Sequence, residues 1–201
     1  SLCYTGFGNI SEIRNQRSNI HMSRTLLLAG RPGIGKTTLI KAVVEQLQGR
    51  AGGFYTEEIL GPGGRKGFRL TTLEGRSQVV AHVDHKSRST VGRYGVDVAA
   101  IDRVGAKVIV QALDRYPIIV IDEIGRLQLF SSQFQSAVLK AVSSPKIVVA
   151  TLMLEDHPWT GALKALPFAT TWEVTFKNRS KLAAEVLNWI ALDRSSVVRS
   201  A

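Results

Sequence analysis

The sequence lacks the features that mark secreted and membrane proteins. It contains one cysteine, Cys3, so no disulfide can form within the chain. No apolar run approaches the roughly 18–20 residues that a membrane-spanning helix needs. The first 22 residues also lack the basic-then-apolar order of a secretory signal. We therefore expect a soluble, cytoplasmic protein with no membrane contact.

Acidic residues are scarce relative to basic ones, which gives the 201-residue chain a formal net charge of +10. The basic residues are scattered, with one local concentration in "GGRKGFR" at residues 63–69. Such a surplus favours phosphate-bearing partners, either nucleotides or nucleic acid, although a solvated basic surface would look the same. The hydrophobic content of 44% is that of an ordinary globular protein.

Three regions are expected along the chain. Residues 1–22 are polar, show no periodicity and end in "HM", which predicts a leader or tag. Residues 23–194 are predicted to form a single domain, followed by a C-terminal tail at residues 195–201. We expect this protein to be a monomer.

Buried strands alternate with amphipathic helices through most of the chain. "RTLLLAG", "IIVIDEIG" and "KIVVATL" are short apolar runs typical of buried strands, and "TWEVTF" alternates Trp172, Val174 and Phe176 on one face. Between the helical parts, three strands within residues 53–83 predict an antiparallel meander. The pattern predicts an α/β fold, with a central, mostly parallel sheet flanked by helices and an inserted antiparallel meander. Helices are predicted at residues 36–48, 96–115, 131–142 and 178–192.

A glycine-rich stretch, "GRPGIGKT" at residues 30–37, follows the first predicted strand and opens the first helix. It satisfies the pattern G-x-x-x-x-G-K-[ST], in which backbone N–H groups and a helix N-terminus surround phosphate groups. Lys36 would reach the β- and γ-phosphates, and Thr37 would offer its hydroxyl to Mg²⁺. A glycine-rich turn with an incidental lysine is the alternative. The predicted nucleotide-binding residues are Gly30, Arg31, Pro32, Gly33, Ile34, Gly35, Lys36, Thr37 and Thr38.

Polar residues end the next two buried strands. Asp122 closes an apolar run beside the glycine-rich stretch, where it would hold Mg²⁺, and Glu123 would orient or deprotonate a water that attacks the γ-phosphorus. The alternative is that both acids only cap the strand. The hydroxyl of Thr151 would sense the γ-phosphate or that water, unless it is simply a β-branched strand residue.

Transition-state charge in phosphoryl transfer is commonly stabilised by an arginine. We assign this role to Arg93, in "VGRYGVD", although any one of the candidates would also be an ordinary surface arginine. The candidates are Arg31, Arg65, Arg69, Arg93, Arg126 and Arg179.

Several segments together resemble the THEP1 family of P-loop nucleoside-triphosphatases. They are the glycine-rich stretch, "GGFYTEEI", "GGRKGFRL", "VGRYGVDV", "VIDEIGRLQLFSSQF" and "VTFKNRSKL", which span about residues 24–187. The resemblance implies a RecA-like sheet and Mg²⁺-dependent hydrolysis of the terminal phosphate of ATP, GTP, CTP, UTP and TTP. It implies a contact of Asn178 and Arg179 with the base or ribose; a helix cap and a surface arginine are the alternatives.

The sequence departs from the family after "IDEIG". The family pattern continues there with lysine or arginine, methionine and glutamate, whereas this chain has Arg126, Leu127 and Gln128. Any role of a carboxylate at position 128 is therefore absent.

Two other functions share the glycine-rich motif. A small nucleotide or nucleoside kinase would pass the phosphate to a bound acceptor, with "GGRKGFR" imitating an arginine-rich lid. The neighbouring acids Asp122 and Glu123 favour hydrolysis instead, because water needs a base more than a pre-placed hydroxyl does. A nucleotide-gated module that binds RNA or DNA is the other alternative, suggested by the net charge alone.

Overall fold

One mixed sheet of nine strands organises the part of the chain that the computed structural model describes, residues 24–155 and 157–192. The predicted leader at 1–22 and tail at 195–201 lie outside these residues. The strands are β1 (Arg24–Gly30), β2 (Ala51–Gly61), β3 (Gly64–Thr72), β4 (Ser77–His82), β5 (Thr90–Val91), β6 (Tyr94–Val96), β7 (Ile118–Ile124), β8 (Ile147–Met153) and β9 (Ala169–Glu173). Their order across the sheet is β5-β6-β4-β3-β2-β7-β8-β1-β9.

Helices connect most of the strands. The α-helices are α1 (Lys36–Gln46), α2 (Val98–Ala100), α3 (Lys107–Arg115), α4 (Ser132–Val142), α5 (Pro158–Lys164) and α6 (Arg179–Ala191). A π-helical segment, Ile101–Ala106, joins α2 to α3, and a 3₁₀ turn, Gln128–Phe130, precedes α4. Among the described residues, no helix is both long and apolar enough to span a membrane.

The predicted α/β fold class is confirmed. Strands β9, β1, β8, β7 and β2 pair in parallel, which is the arrangement that alternating buried strands and helices predict. The predicted meander consists of β2, β3 and β4 and is continued by the short strands β6 and β5, all in antiparallel pairs. It extends the central sheet, because β2 belongs to both the parallel and the antiparallel halves.

Both faces of the sheet are covered, as the continuous apolar character of its central strands requires. Alternate residues of β1 face opposite sides: Leu26 and Leu28 pack in a cluster with α1 and α6, whereas Leu27 packs in the cluster that includes α3 and α4. Because helices bury both faces of the central parallel strands, the site is expected at the carboxyl ends of these strands.

Three predicted elements differ from the structure. The helix predicted at residues 96–115 begins only at Val98, because Val96 pairs in β6, and it contains the π-helical segment. The strand predicted through Phe176 ends at Glu173; Val174 is buried, but Phe176 is 75% exposed. The first helix ends two residues early, and Gln48 then adopts a positive φ of 48°. Strands β5 and β6 and helix α5 were not predicted.

Candidate active site

The glycine-rich stretch forms a loop between β1 and α1 at the carboxyl edge of the sheet. Gly33 and Gly35 have φ values of 75° and 104°, in the region that glycine adopts readily and other residues rarely do. Gly35 also occupies the N-cap of α1, where no side chain of the described residues caps the helix. The first N–H groups of α1 are therefore left for an anion, together with the positive end of the helix dipole.

Lys36 is held at the mouth of this loop. Its side chain is only 7% exposed, and its Nζ donates to the carbonyl oxygen of Gly30 over 2.8 Å and lies 3.2 Å from Oε1 of Glu123. A second, longer contact of 3.4 Å reaches the carbonyl of Arg31. Carbonyl groups of the loop thus fix the position of the Lys36 ammonium at the start of α1.

Asp122 lies beneath Lys36 and Thr37, fully buried at the end of β7. Its Oδ2 accepts a hydrogen bond from the Thr37 hydroxyl over 2.7 Å, and its Oδ1 accepts one from Thr151 over 2.6 Å. Burial raises the pKa of Asp122 from 3.8 to about 6, and the charge of Glu123 adds to this, whereas the two hydroxyl bonds favour the ionised form. Three residues predicted separately for this site therefore meet at one carboxyl group.

A polar network that sequence analysis missed holds the end of β7 in place. The Thr56 hydroxyl donates to the carbonyl of Asp122 over 2.8 Å and accepts hydrogen bonds from the N–H of Glu123 and the amide of Gln128. The Oε1 of Gln128 accepts the N–H of Gly125. The glutamine at this departure from the family pattern therefore fixes the backbone around Glu123, and the only sequence signal for Thr56 was its place in "GFYTEE".

A cavity of about 630 Å³ opens beside the loop and reaches the meander. Glu123, 32% exposed, stands on its wall together with Arg65, Phe68 and Val91. Arg65 contacts the carboxylate of Glu58 and donates to the Tyr94 hydroxyl, and the Tyr94 hydrogen bond is the main cause of its raised pKa. The cavity is large enough for a small ligand, and it brings acids and cations together at one end of the loop.

Glu57 is held on the same cavity wall by cations. Its carboxylate accepts from Lys41 over 2.8 Å, from Thr71 over 2.8 Å and from Arg69 over 3.2 Å. The Lys41 hydrogen bond is the main cause of the lowered pKa of Glu57. Arg69, one of the predicted candidates, is therefore engaged with an acid.

Comparisons with known proteins place this geometry in a family. The family model described as NTPase matches residues 25–187. The nucleoside-triphosphatase THEP1 of a Thermotoga species (strain RQ2) is 38% identical over 169 residues, which cover 84% of this chain and 97% of the relative. The chain belongs to the THEP1 family of nucleoside-triphosphatases. The resemblance stated from the sequence motifs is thereby confirmed.

Two solved structures share the fold. The crystal structure of THEP1 from Aquifex aeolicus superposes with a TM-score of 0.77 at 35% identity, covering 82% of this chain and 98% of that one. The solution structure of a human cancer-related nucleoside triphosphatase gives a TM-score of 0.72 at 30% identity, covering 84% and 97%. Because each superposition covers nearly all of the solved chain, the structural similarity includes both the sheet and the glycine-rich loop.

The arginines that were candidates in this THEP1 chain occupy different places. Arg65 and Arg126 line the cavity, and Arg126 is paired with Glu155 over 2.7 Å. Arg93 is not among the cavity-lining residues; its guanidinium donates to the carbonyl of Arg65 and lies over the Tyr94 ring. Its predicted catalytic role stays a prediction, whereas Arg65 lines the same cavity as Glu123.

The late Asn-Arg pair of the THEP1 pattern lies beside the loop. Arg179 donates from Nη1 to the carbonyl of Ile34 over 3.2 Å. It therefore contacts the glycine-rich loop at residues 30–37, which is called the phosphate loop below. The side chain of Asn178 is engaged at both ends, since it accepts from the N–H of Thr175 and donates to the carbonyl of Glu173, each over 2.8 Å. In this structure Asn178 fastens the segment after β9, and its predicted contact with a base stays a prediction.

Proposed function

We propose that this chain hydrolyses the terminal phosphate of nucleoside triphosphates with Mg²⁺, at the loop between β1 and α1. The observation that carries the proposal is the meeting of Thr37 with the buried Asp122, while Glu123 faces the cavity one residue away. An uncapped helix N-terminus, a fixed ammonium group and two acids in separate positions are what anhydride hydrolysis requires. Membership of the THEP1 family supports the same conclusion.

The residues present fit a magnesium ion. The Asp122 carboxylate is contacted by hydroxyl groups, and hydroxyl and carboxylate oxygens are the ligands that Mg²⁺ prefers. Among the described residues no group of three His, Cys, Asp or Glu side chains could hold a metal by itself. That result agrees with a nucleotide site, where Mg²⁺ takes one or two protein ligands and completes its shell with phosphates and water. Thr37 and Asp122 would hold the ion, which when bound would neutralise charge on the phosphates.

Glu123 is placed to accept the proton of the attacking water. In hydrolysis a bond forms between the water oxygen and the γ-phosphorus, and the bond from the γ-phosphorus to the β–γ bridging oxygen breaks, leaving a nucleoside diphosphate and phosphate. The carboxylate of Glu123 lies 3.2 Å from the Lys36 ammonium. We infer that a bound triphosphate takes over the Lys36 ammonium, which frees Glu123 to act as a base.

Arg65 is the cation that we assign to the transition state, with Arg93 as its positioning residue. Arg65 lines the same cavity as Glu123, and Arg93 holds the Arg65 backbone through its carbonyl. Tyr94 contacts both guanidinium groups, which lowers its pKa, with Arg65 as the larger cause. Arg126 lines the cavity as well and is paired with Glu155, as Arg65 is with Glu58.

Tolerance for ATP, GTP, CTP, UTP and TTP is part of the proposal. The loop offers amides and an ammonium group to a triphosphate, which all five substrates share. Selection of one base would need hydrogen-bonding groups free to meet it. The Asn178 side chain uses one N–H donor and one lone pair of its oxygen on the backbone of Glu173 and Thr175.

Release of inorganic phosphate from the five triphosphates tests the proposal. We expect release with Mg²⁺ and its loss when EDTA is added. Glu123→Gln should lower kcat by about 100- to 10,000-fold, the usual contribution of a general base, and should leave the affinity for a Mg²⁺-bound non-hydrolysable ATP analogue within a few-fold. Glu45→Gln, an exposed acid on α1, is the matched control and should hydrolyse normally.

Three results would overturn the proposal. The first is wild-type turnover in Glu123→Gln. The second is transfer of the phosphate to an added nucleoside or nucleotide without phosphate release, as a kinase would give; the segment suggested as a kinase lid is strand β3 of the sheet. The third is turnover only with added RNA or DNA, as a nucleic-acid-gated module would give.

A further inference from the structure

The order of the strands gives a bound triphosphate a direction, if the proposed function holds. Glu123 lies on β7, which is separated from β1 by β8 on one side of the phosphate loop. On the other side β1 pairs with β9, the edge strand. A γ-phosphate that faces Glu123 therefore leaves the nucleoside on the β9 side, because ligands of such sheets lie across the carboxyl ends of the strands.

The segment that follows β9 is attached to the phosphate loop. The N–H of Val174 donates to the carbonyl of Ala29 over 2.7 Å, and a side chain at Gly30 would come within 3.1 Å of Val174. Five residues later, Arg179 donates to the carbonyl of Ile34. Residues 174–179 therefore run beside the phosphate loop and are bound to it at both ends.

This segment has a fixed shape. The Asn178 side chain joins the N–H of Thr175 to the carbonyl of Glu173, and the carbonyl of Asn178 accepts the N–H groups of Lys181 and Leu182 at the start of α6. These bonds hold both sides of Phe176. A side chain at that position is presented without the ordering cost that a free loop would pay on binding.

Phe176 has no packing role that would explain a phenyl ring there. At 75% exposed, it is the most exposed large apolar side chain among the described residues. Its ring is contacted by the Arg179 guanidinium, 5.0 Å from the ring centroid, and the same guanidinium bonds the phosphate loop. A ligand that covers this ring would remove apolar surface from water, which is favourable.

We propose that Phe176 is the stacking surface for the nucleobase of the bound triphosphate. Stacking on an aromatic ring accepts every base, because each base has a π-face. The proposal therefore deepens the proposed function. It names a residue that binds the nucleobase, and it explains how one site can accept the bases of five substrates. Arg179 holds the ring against the loop and adds a cation beside it.

Two ligands test this proposal, one with a nucleoside and one without. The probes are a Mg²⁺-bound non-hydrolysable ATP analogue and Mg²⁺-bound tripolyphosphate, whose dissociation constants are measured by calorimetry. Phe176→Ala should raise the dissociation constant of the ATP analogue by about 5- to 30-fold, the cost of one lost stacking contact, and leave that of tripolyphosphate unchanged. The affinity of Phe176→Ala for the corresponding GTP and UTP analogues should fall as well.

Two further variants complete the experiment. Phe176→Trp should restore the affinity, because an indole ring stacks at least as well as a phenyl ring. Leu60→Ala, which removes a side chain that is 72% exposed beside the turn between β2 and β3, should change neither affinity. Thermal unfolding checks that each variant is folded, as the exposure of both side chains leads us to expect.

The result that overturns the inference is an unchanged affinity of Phe176→Ala for the ATP analogue, or an equal loss for both probes, which would show that the ring supports the phosphate loop. A selective loss of the ATP analogue in Phe68→Ala and not in Phe176→Ala would also overturn it, since Phe68 lies in the cavity on the Glu123 side. Wild-type phosphate release accompanied by any of these results refutes the stacking surface alone. Absence of wild-type phosphate release refutes the proposed function as well.

Discussion

Thr151→Val removes one hydroxyl from the buried carboxyl of Asp122 and changes little else in shape. The Thr151 hydroxyl donates to Oδ1 over 2.6 Å, and both side chains are fully buried, so no water can take its place readily. A hydrogen bond to a charged group contributes about 1.5–3 kcal/mol, and one between neutral groups about 0.5–1.5 kcal/mol. The loss of stability should therefore depend on whether Asp122 is ionised.

The ionisation of Asp122 sets the sign of the pH dependence in the metal-free protein. Burial raises its folded pKa from 3.8 to about 6, so the folded state keeps a proton that the unfolded state releases between these values. This stabilises the fold fully below about pH 4 and is lost as the pH rises through about 6, a change of about 3 kcal/mol. Because the Thr151 bond favours the ionised form, Thr151→Val should raise the pKa further and steepen this loss.

Urea unfolding in EDTA measures the effect. The free energy of unfolding of Thr151→Val should fall below wild type by about 2 kcal/mol at pH 8 and by about 1 kcal/mol at pH 5, where Asp122 is mostly protonated. In an Asp122→Asn background the same substitution should cost about 1 kcal/mol at both pH values. Equal costs at pH 5 and pH 8 in the wild-type background would refute the reasoning and would leave the Thr151 hydroxyl free to sense the γ-phosphate.

Four further substitutions test the site. Lys36→Met should weaken Mg²⁺-bound tripolyphosphate by about 100-fold in calorimetry, because the ammonium is the fixed cation of the loop; retained affinity would contradict this. Arg65→Ala should lower kcat by about 100-fold or more with little change in KM, and Arg93→Ala by less; a larger loss in Arg93→Ala would instead support the predicted catalytic role of Arg93. Gln128→Leu should lower the free energy of unfolding by about 1–3 kcal/mol, since it leaves the Gly125 N–H unpaired; an equally stable variant in urea would contradict this.

The part of the site that is local in sequence was predictable. The glycines, Lys36 and Thr37 lie within eight consecutive residues whose pattern dictates a loop between a strand and a helix, and the structure has β1 and α1 in those positions. The acids of β7 were also predictable. An apolar run that closes on two acids places them at the carboxyl end of a buried strand, where ligands of such sheets bind. That Asp122 and Thr151 meet follows from the parallel pairing of neighbouring strands β7 and β8.

The rest depends on pairings that no local pattern encodes. Thr56 reaches Asp122 because β2 pairs with β7, and Gln128 reaches Thr56 because a 3₁₀ turn follows β7. Apolar alternation predicted that Phe176 shares a buried face with Val174, but the strand ends before both. Apolar alternation indicates a buried face only while the chain stays in the sheet. An apolar side chain that serves a ligand surface fits the same alternation, so the sequence alone does not distinguish it from a core residue.

The charge around the cavity explains how a strongly basic protein can bind a triphosphate without a basic pocket. Four cations and four acids line the cavity, namely Lys36, Lys41, Arg65, Arg126, Glu57, Glu58, Glu123 and Glu155. The surplus that gives the chain a net charge of +10 therefore lies outside this wall.

A triphosphate without a metal would meet the acids at close range, and the amides of α1 would have to offset that repulsion. A triphosphate that carries Mg²⁺ has less charge to offset, and its cation would be attracted to the buried carboxyl of Asp122, which the Thr37 and Thr151 hydroxyls contact. We therefore expect the Mg²⁺ complex to bind more tightly than the metal-free triphosphate, held by the oriented dipoles of the loop and by one lysine.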